Sequence, residues 1–388
     1  MIMIKKKYIN CLFTMIILIS CQKNERFYVE KVQKYHVGVS KLSIDDSTSL
    51  DFIKISYLHV GDKEYLFHQN EFKRTIQVFD LKSGFVENEI RYPVQEPFGL
   101  KVVQGITAVS LDSIFVFLPL SIRGTLLING EGEILDRFMP NKEEDLEKSL
   151  INHVSFGAMP TLLHEGKIRF IKLPLFELSN PANINEEFRF ETIYDVENNL
   201  ITEIPESSFP EFYHNKIWAG QDLQVSRTID NAGRIIYSWK YLDSLIIVEG
   251  RNLNKVFSKS EFLNKKPTPF SMIPSSDQKA QHIIENTKYY GIYYDKYRDL
   301  YYRTVQLPGI YDKNGILKEM DSRRGFSVMV LDNNFNKIEE VRFPGGIYNI
   351  YRAFVGKQGL YLPKNNVLNP DLVENYLDID IFDFTADE

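Results

Sequence analysis

The feature that most restricts the fold of this 388-residue chain is a hairpin signature that keeps returning: two apolar residues, an acidic or amide residue, then a polar turn. It reads Val78-Phe79-Asp80 ahead of Leu81-Lys82-Ser83-Gly84, Leu127-Ile128-Asn129 ahead of Gly130-Glu131-Gly132, and Ile193-Tyr194-Asp195 ahead of Glu197-Asn198-Asn199. It returns at Ile247-Val248-Glu249, Val330-Leu331-Asp332 and Ile381-Phe382-Asp383. Neighbouring copies lie 49 to 83 residues apart, the pattern of one supersecondary unit that carries insertions of variable length. Two alternating apolar runs precede each hairpin, so each unit predicts four strands, a to d; unit one takes 52–59, 64–69, 75–80 and 85–91. Four-stranded units arrayed about an axis are propeller blades. Six copies predict an all-β chain, a six-bladed β-propeller of four-stranded blades.

The last unit runs out of chain. Its a, b and c strands, 352–355, 359–363 and 377–384, are followed by too few residues for a d strand. An open sheet edge is a liability that a closed ring removes. We therefore expect residues 26–35 to supply the missing strand, the last blade being closed by the N-terminal strand and residues 26–388 forming a single propeller domain. Helical periodicity is nearly absent. The one predicted helix is 141–152, where Leu146, Leu150 and Ile151 fall at helical spacing behind an acidic first turn.

Ahead of the repeats, Lys5, Lys6 and Lys7 precede an apolar run over 8–19 that ends in Leu18-Ile19-Ser20-Cys21. A spanning helix needs about 20 apolar residues. The shorter run predicts a leader, residues 1–20, removed before folding. The four residues closing it resemble the lipobox of bacterial lipoproteins. That resemblance implies lipidation of Cys21, a lipid-anchored tether over 21–25 and a membrane as partner through the anchor. Gln22, rather than Asp, after the cysteine implies release to the outer membrane. Lys23, Asn24 and Glu25 faintly resemble the tag of surface-exported Bacteroidota lipoproteins, so periplasmic-facing and surface-exposed placements both stand open. Both cysteines, Cys11 and Cys21, lie in or at the end of the leader, so the mature chain has no disulfide to form. Removing the three lysines takes the formal charge from −6 to −9, which argues against nonspecific nucleic-acid binding.

The stretch Tyr289-Tyr290-Gly291-Ile292-Tyr293-Tyr294-Asp295-Lys296-Tyr297-Arg298-Asp299-Leu300-Tyr301-Tyr302-Arg303, with the lipobox and the six irregular units, resembles an uncharacterised Bacteroidota family of six-bladed, TolB-like propeller lipoproteins, a domain of unknown function. The resemblance implies fold and cell-envelope location and carries no activity and no residue roles. On its own terms the tyrosine-rich hairpin reads as inter-blade packing with hydroxyls satisfied at the edge.

In an up-and-down blade the a–b and c–d turns share one face and the b–c and d–a connections share the other. The first set is short throughout, and the second holds every long insertion. Long loops in a compact domain are usually functional or disordered. The predicted binding face is therefore the b–c and d–a end. Lys73, Arg74, Arg123, Lys240, Arg303, Arg323, Arg324 and Arg352 lie in or beside those loops, a basic set that would focus an anionic ligand on an acidic protein. Solvated or paired loop charges explain the same residues. Phe209, Phe212, Tyr213, Trp218, Trp239 and Tyr241 offer faces for sugar rings, although such residues more often pack a long loop onto the propeller. His214 joins the ligand-binding candidates.

Catalytic motifs fail to appear. There is no HExxH and no GxSxG, and the seven histidines show no metal-ligand spacing. Asp378, Asp380 and Asp383 suggest calcium, but alternation points the third away from the other two, so no cofactor is predicted. By analogy with propeller lyases and lactonases, His153, His214 and Tyr241 would be the catalytic candidates. The expectation is a lipid-anchored envelope propeller that binds a glycan or an envelope protein at its long-loop face. An enzyme on an anionic saccharide or lactone, and an assembly scaffold for a membrane protein, are the alternatives.

Overall fold

Each predicted unit is an antiparallel sheet in the computed structural model, which describes residues 30–92, 102–139, 143–263 and 265–385. Blade 1 runs Ile55–Val60, Lys63–Asn70, Thr75–Asp80 and Val86–Arg91 from the inside out, and blade 2 runs Gly105–Ser110, Ser113–Leu118, Ser121–Ile128 and Ile134–Arg137. Blade 4 runs Val225–Ile229, Ile235–Trp239, Ser244–Glu249 and Asn252–Phe257; blade 5 runs Lys288–Asp295, Leu300–Gln306, Phe326–Leu331 and Lys337–Phe343. Inner strands of five blades, with residues 155–161 of blade 3, line an axial cavity of about 220 Å³ that has Tyr57, Thr107, Thr161, Thr228, Tyr293 and Val355 in its wall. The leader, Cys21 and the tether lie outside the described residues.

The recurring acid of the hairpin signature has a local cause. The side chain of Asp80 accepts from the N–H groups of Lys82 and Ser83, Asn129 from Glu131 and Glu133, Asp195 from Asn198, and Asp332 from Asn334 and Asn336. These are Asx turns, in which a short carboxylate or amide replaces a missing backbone acceptor and sets the reversal. Asp230 and Asp295 do the same for a–b turns, accepting from Ala232 and Arg234 and from Tyr297 and Arg298. Between blades the fill is apolar: Ile236, Leu245 and Ile247 of blade 4 pack against Tyr289, Tyr301, Val305 and Met329 of blade 5. The tyrosine hydroxyls reach edge aspartates, Tyr289 to Asp243, Tyr301 to Asp230 and Tyr302 to Asp295.

Blade 6 closes with the N-terminal strand, though not with the residues expected. Phe354–Gly356, Gly359–Pro363 and Tyr376–Phe382 are completed by His36–Ser43, paired antiparallel from His36 against Phe382 to Ser43 against Tyr376. Residues 30–35, part of the segment predicted to be that strand, form a helical turn instead. Its Val32 and Tyr35 are buried in the cluster between blades 5 and 6, and the Lys31 ammonium stands 2.7 Å from Glu339. Residues 36–43 carry the alternation that a strand needs, with Ser40 and Leu42 inward and Val39 and Lys41 outward. At the join between blades 6 and 1, Glu64 accepts from Tyr57, Tyr361, Gln358 and the Lys357 N–H.

Blade 3 departs from the pattern. Its inner strand is split, His153–Val154 and Leu162–His164 both pairing with Lys167–Lys172, and the sheet continues through Glu191–Asp195 to Leu200–Glu203. Residues 155–161 between the halves turn into the channel. There the Ala158 carbonyl accepts from Ser226 Oγ at 2.5 Å and the Pro160 carbonyl from Arg227 Nη1 at 2.7 Å, so the excursion is pinned to blade 4.

The predicted helix is present as Glu143–Lys148. Two more were not expected, Ser276–Glu285 and Leu317–Ser322. The first buries only Ile284 and so shows no apolar period; its mark is the capping box of Ser275 and Gln278. No helix among the described residues is long and apolar enough to cross a membrane.

Candidate functional site

A cavity of about 340 Å³ opens on the long-loop face between blades 5, 6 and 1. Its wall is built by four connections of the b–c and d–a set. Gln306 ends the b strand of blade 5, where the ladder pairs it with Lys288. Asp321 lies on the helix Leu317–Ser322 and Arg324 follows it. Tyr351 sits in the 3-10 turn Ile350–Arg352, whose start is fixed by the Asn349 side chain accepting from the Tyr351 N–H at 3.1 Å. Asn365 follows the b strand of blade 6.

Asp321 is the hub of this wall. It accepts from Gln306 Nε2 at 2.9 Å, from Arg324 Nη1 at 3.2 Å and from the Tyr351 hydroxyl. Gln306 Nε2 also donates to the Tyr351 oxygen at 2.9 Å. Burial and the facing Asp321 push the Tyr351 hydroxyl well above the usual phenol range, so it stays a donor. Arg324 spends its other N–H groups on the carbonyls of Leu307, Ile283 and Asn286. Across the cavity, Nε and Nη2 of Arg352 both donate to Asp51 Oδ1, at 3.0 and 2.7 Å.

Behind this wall lie two buried lysines. Lys240, one residue past the b strand of blade 4, donates to Gln224 Oε1 at 3.2 Å and stands 5.2 Å from the ring centre of Tyr290. Lys288 opens the a strand of blade 5 and is 4% exposed, and its ammonium meets no hydrogen-bond acceptor among the described residues. Burial brings Lys240 down to about 8, against the pull of Asp222 and Asp321. Lys288 falls to about 7, burial being reinforced by Lys240 and Arg324. Three cations thus share two carboxylates, and Asp222 is itself taken by the Tyr241 hydroxyl at 2.8 Å.

Of the residues singled out in the sequence, Arg324 and Arg352 line the cavity and Lys240 backs it. Arg323 is exposed and paired with Glu319 at 3.1 Å. Arg74 and Arg123 are exposed on blades 1 and 2, outside the cavity wall. Arg303 is core: it donates to Ser238 Oγ and to the carbonyls of Ser258 and Leu242, and its guanidinium lies 3.3 Å from the ring centre of Tyr289. Burial brings it down to about 10.

The aromatic set is packing. Trp218 and Trp239 are each 1% exposed, and Tyr213 and Tyr241 are buried with them. Trp218 lies 5.5 Å from Tyr241, and Tyr213 lies 5.5 Å from Trp239, so protein covers these rings and no sugar reaches them. His214 Nε2 is bound to the Phe209 carbonyl at 2.7 Å, and His153 Nε2 to that of Leu118 at 2.6 Å. With Tyr241 held by Asp222, the three lyase candidates do not converge. Asp380 accepts from Tyr348 and Asp383 from Arg298, and no group of three His, Cys, Asp or Glu side chains is placed to hold a metal among the described residues.

Lys288, Gln306, Asp51, Asp321, Tyr351 and Asn365 were not foreseen. The only sequence signal for the first two is a polar residue at the long-loop end of an otherwise apolar strand.

The family model described as "Domain of unknown function (DUF4221)" matches residues 17–342. In structure the chain is similar to a crystal structure of a DUF4221 member from Bacteroides vulgatus, 24% identical, with a TM-score of 0.77 over 90% of this chain and 97% of that one. It is also similar to a Bacteroides fragilis protein described as a candidate exported protein, 14% identical, with a TM-score of 0.51 over 91% of this chain and 96% of that one. A comparison with curated proteins finds no match. The family match runs from residue 17 into blade 5 and the fold match covers 90% of the chain; the chain belongs to the DUF4221 family.

Proposed function

We propose that the protein is a lipid-anchored propeller of the cell envelope, carried at the outer membrane through Cys21, that binds a glycan or a protein at its long-loop face. The observation that carries this reading is the inequality of the two ends. One end is closed by short, Asx-locked hairpins; the other bears all the long connections, and four of them build the cavity of about 340 Å³. Such a volume falls in the range of small-ligand pockets, about 300–1,000 Å³. Strand His36–Ser43 runs from the short-turn end to the long-loop end, so a lipid on Cys21 would hang from the short-turn end. The binding face would then point away from the bilayer.

The test is a binding screen of residues 22–388 against neutral and anionic glycans at low and high salt, with pull-downs from the same envelope. A ligand whose binding is abolished by Arg352→Glu at the cavity rim supports the reading; ligands indifferent to long-loop substitutions overturn it. Palmitate labelling that survives Cys21→Ser would overturn the anchor.

One observation favours catalysis as a second reading. His282, with Glu285, Gln281 and Thr268, lines another cavity of about 490 Å³ on the same face, and its Nε2 stands 3.1 Å from the buried Asp222. A carboxylate beside an imidazole can orient a general base once a hydrogen bond forms between them, and here Nε2 and Asp222 Oδ2 are close without one among the described residues. Cleavage of a bound glycan, lost in His282→Gln with binding retained, would support it.

A further inference from the structure

Two acceptors on residues that line the cavity between blades 5, 6 and 1 have no partner among the described residues. Gln306 Oε1 and Asn365 Oδ1 are both buried atoms without a hydrogen bond, on residues 3% and 7% exposed. Their orientation follows from the groups around them. Gln306 Nε2 points at Asp321, a carboxylate that can only accept, and Asn365 Nδ2 donates to the Leu50 carbonyl at 2.6 Å. Neither amide can turn without setting its carbonyl against another acceptor. Leaving a buried amide oxygen unpaired forfeits its hydration with nothing in return, so two in one cavity call for a donor from outside.

The remaining chemistry of the cavity narrows what that donor is. Ser49, Ser322 and Asn366 add hydroxyl and amide groups to the wall. The charged lining holds Lys318, Arg324 and Arg352 against Asp51 and Asp321, and Lys240 and Lys288 stand behind it. The unpartnered Lys288 ammonium leaves this side of the cavity short of negative charge. No aromatic plane is needed, because the polar atoms converge from several directions on a space of about 340 Å³.

We infer that this cavity holds an acidic sugar residue, its hydroxyls donating to Gln306 Oε1 and Asn365 Oδ1 and its carboxylate drawn to the side backed by Arg324 and Lys288. The inference rests on the reading of the long-loop face as the binding face and names the ligand class for it. An acidic sugar supplies both missing groups at once, hydroxyl donors for the amide oxygens and one negative charge for the uncompensated cation. A neutral sugar supplies only the first, and a simple carboxylate only the second.

The experiment is titration of residues 22–388 with D-glucuronate, D-galacturonate, D-glucose, D-glucose 6-phosphate and acetate, followed by saturation-transfer NMR and calorimetry. Binding of at least one uronate, tenfold or more tighter than glucose and with no response to acetate, is expected. Asn365→Leu should weaken that uronate about tenfold. Lys288→Met, which keeps the side chain's length and removes its ammonium, should weaken it while leaving the residual affinity for glucose unchanged, with a melting curve no lower than wild type's showing that the variant folds. Uronates that do not bind, or that bind equally well to both variants, overturn the inference. So does a preference for the sugar phosphate, which would make the site a phosphate site. If a glycan or protein from the screen binds the long-loop face and uronates fail to compete, this inference falls and the broader reading stands. If nothing binds that face, both fall.

Discussion

Gly157 lies beneath the backbone carbonyl of Tyr351, so close that a Cβ at residue 157 would stand 2.5 Å from the oxygen. The two residues belong to blades 3 and 6, which face each other across a ring of six. The 155–161 excursion therefore crosses the channel and rests on the connection that carries Tyr351 and Arg352 into the binding cavity. Gly157→Val should force these segments apart. We expect a loss of roughly 1–3 kcal/mol, the usual cost of overpacking, read by urea unfolding, together with altered solvent protection of 349–353 in hydrogen exchange. An unchanged exchange pattern there would refute the coupling across the axis.

The lysine pair predicts a stability that rises with pH. Lys240 and Lys288 have folded-state values near 8 and 7, below the roughly 10.4 of an unfolded lysine. Between those values the unfolded chain binds more protons, so the folded state gains as pH increases from about 7 to about 10. Each lysine contributes at most about 1.4 kcal/mol per pH unit. Lys288→Met should raise the melting temperature at pH 7 and flatten its climb toward pH 9. A variant with the wild-type slope would show that Lys288 is not the titrating group.

Acid should act through histidines that must stay neutral. Burial brings His153 and His68 down to about 4; the Leu118 carbonyl holds the first, and the second stacks on Phe52 with ring centres 3.9 Å apart. Since the folded values lie below the unfolded value near 6.5, stability is lost as pH falls from about 6.5 toward 4. His153→Gln keeps an N–H for the Leu118 carbonyl and removes the titration. Its melting temperature should fall less steeply than wild type between pH 6.5 and 4.5.

Ring closure makes a prediction about truncation. A chain beginning at residue 30 retains the strand His36–Ser43 and should melt as the full soluble body does. One beginning at residue 45 bares the edge of Tyr376–Phe382 and loses the Ser40 Oγ bond to the Leu81 carbonyl at 2.6 Å, which ties blade 6 to blade 1. A drop of roughly 10 °C or more in melting temperature is expected for the shorter chain, equivalent to roughly 7 kcal/mol for a body of this size at about 2.1 cal/mol/K of unfolding entropy per residue. Equal melting of the two chains would refute closure by this strand.

The architecture was legible because its punctuation is local. An Asp or Asn at the end of the c strand sets an Asx turn in four blades, so Asp80, Asn129, Asp195 and Asp332 announce them without reference to anything distant. Closure was legible as a count of strands but not as a position, because 30–35 and 36–43 are both partly apolar and only packing against blade 5 makes the first helical. Arg324 and Arg352 were found because charge on a long loop stands out, and Lys240 because it follows an apolar strand directly. Arg303 has the same chemistry and serves as a strut, a difference made by the carbonyls of Ser258 and Leu242, which come from another blade. Gln306 and Asn365 were invisible for a related reason: nothing in a sequence says which amide oxygen will be left without a partner.

The pairing of His36 with Phe382 also governs the order of assembly. The first strand of the propeller to be synthesised finds its partner only when nearly the whole chain exists, giving this blade a very high contact order and a large loop-closure entropy. Blades 1 to 5 are each contiguous in sequence and can form hairpin by hairpin, whereas blade 6 must wait. Docking of the N-terminal strand is thus the natural last step of folding, and the half-built ring carries an unpaired edge at Tyr376–Phe382 until it occurs.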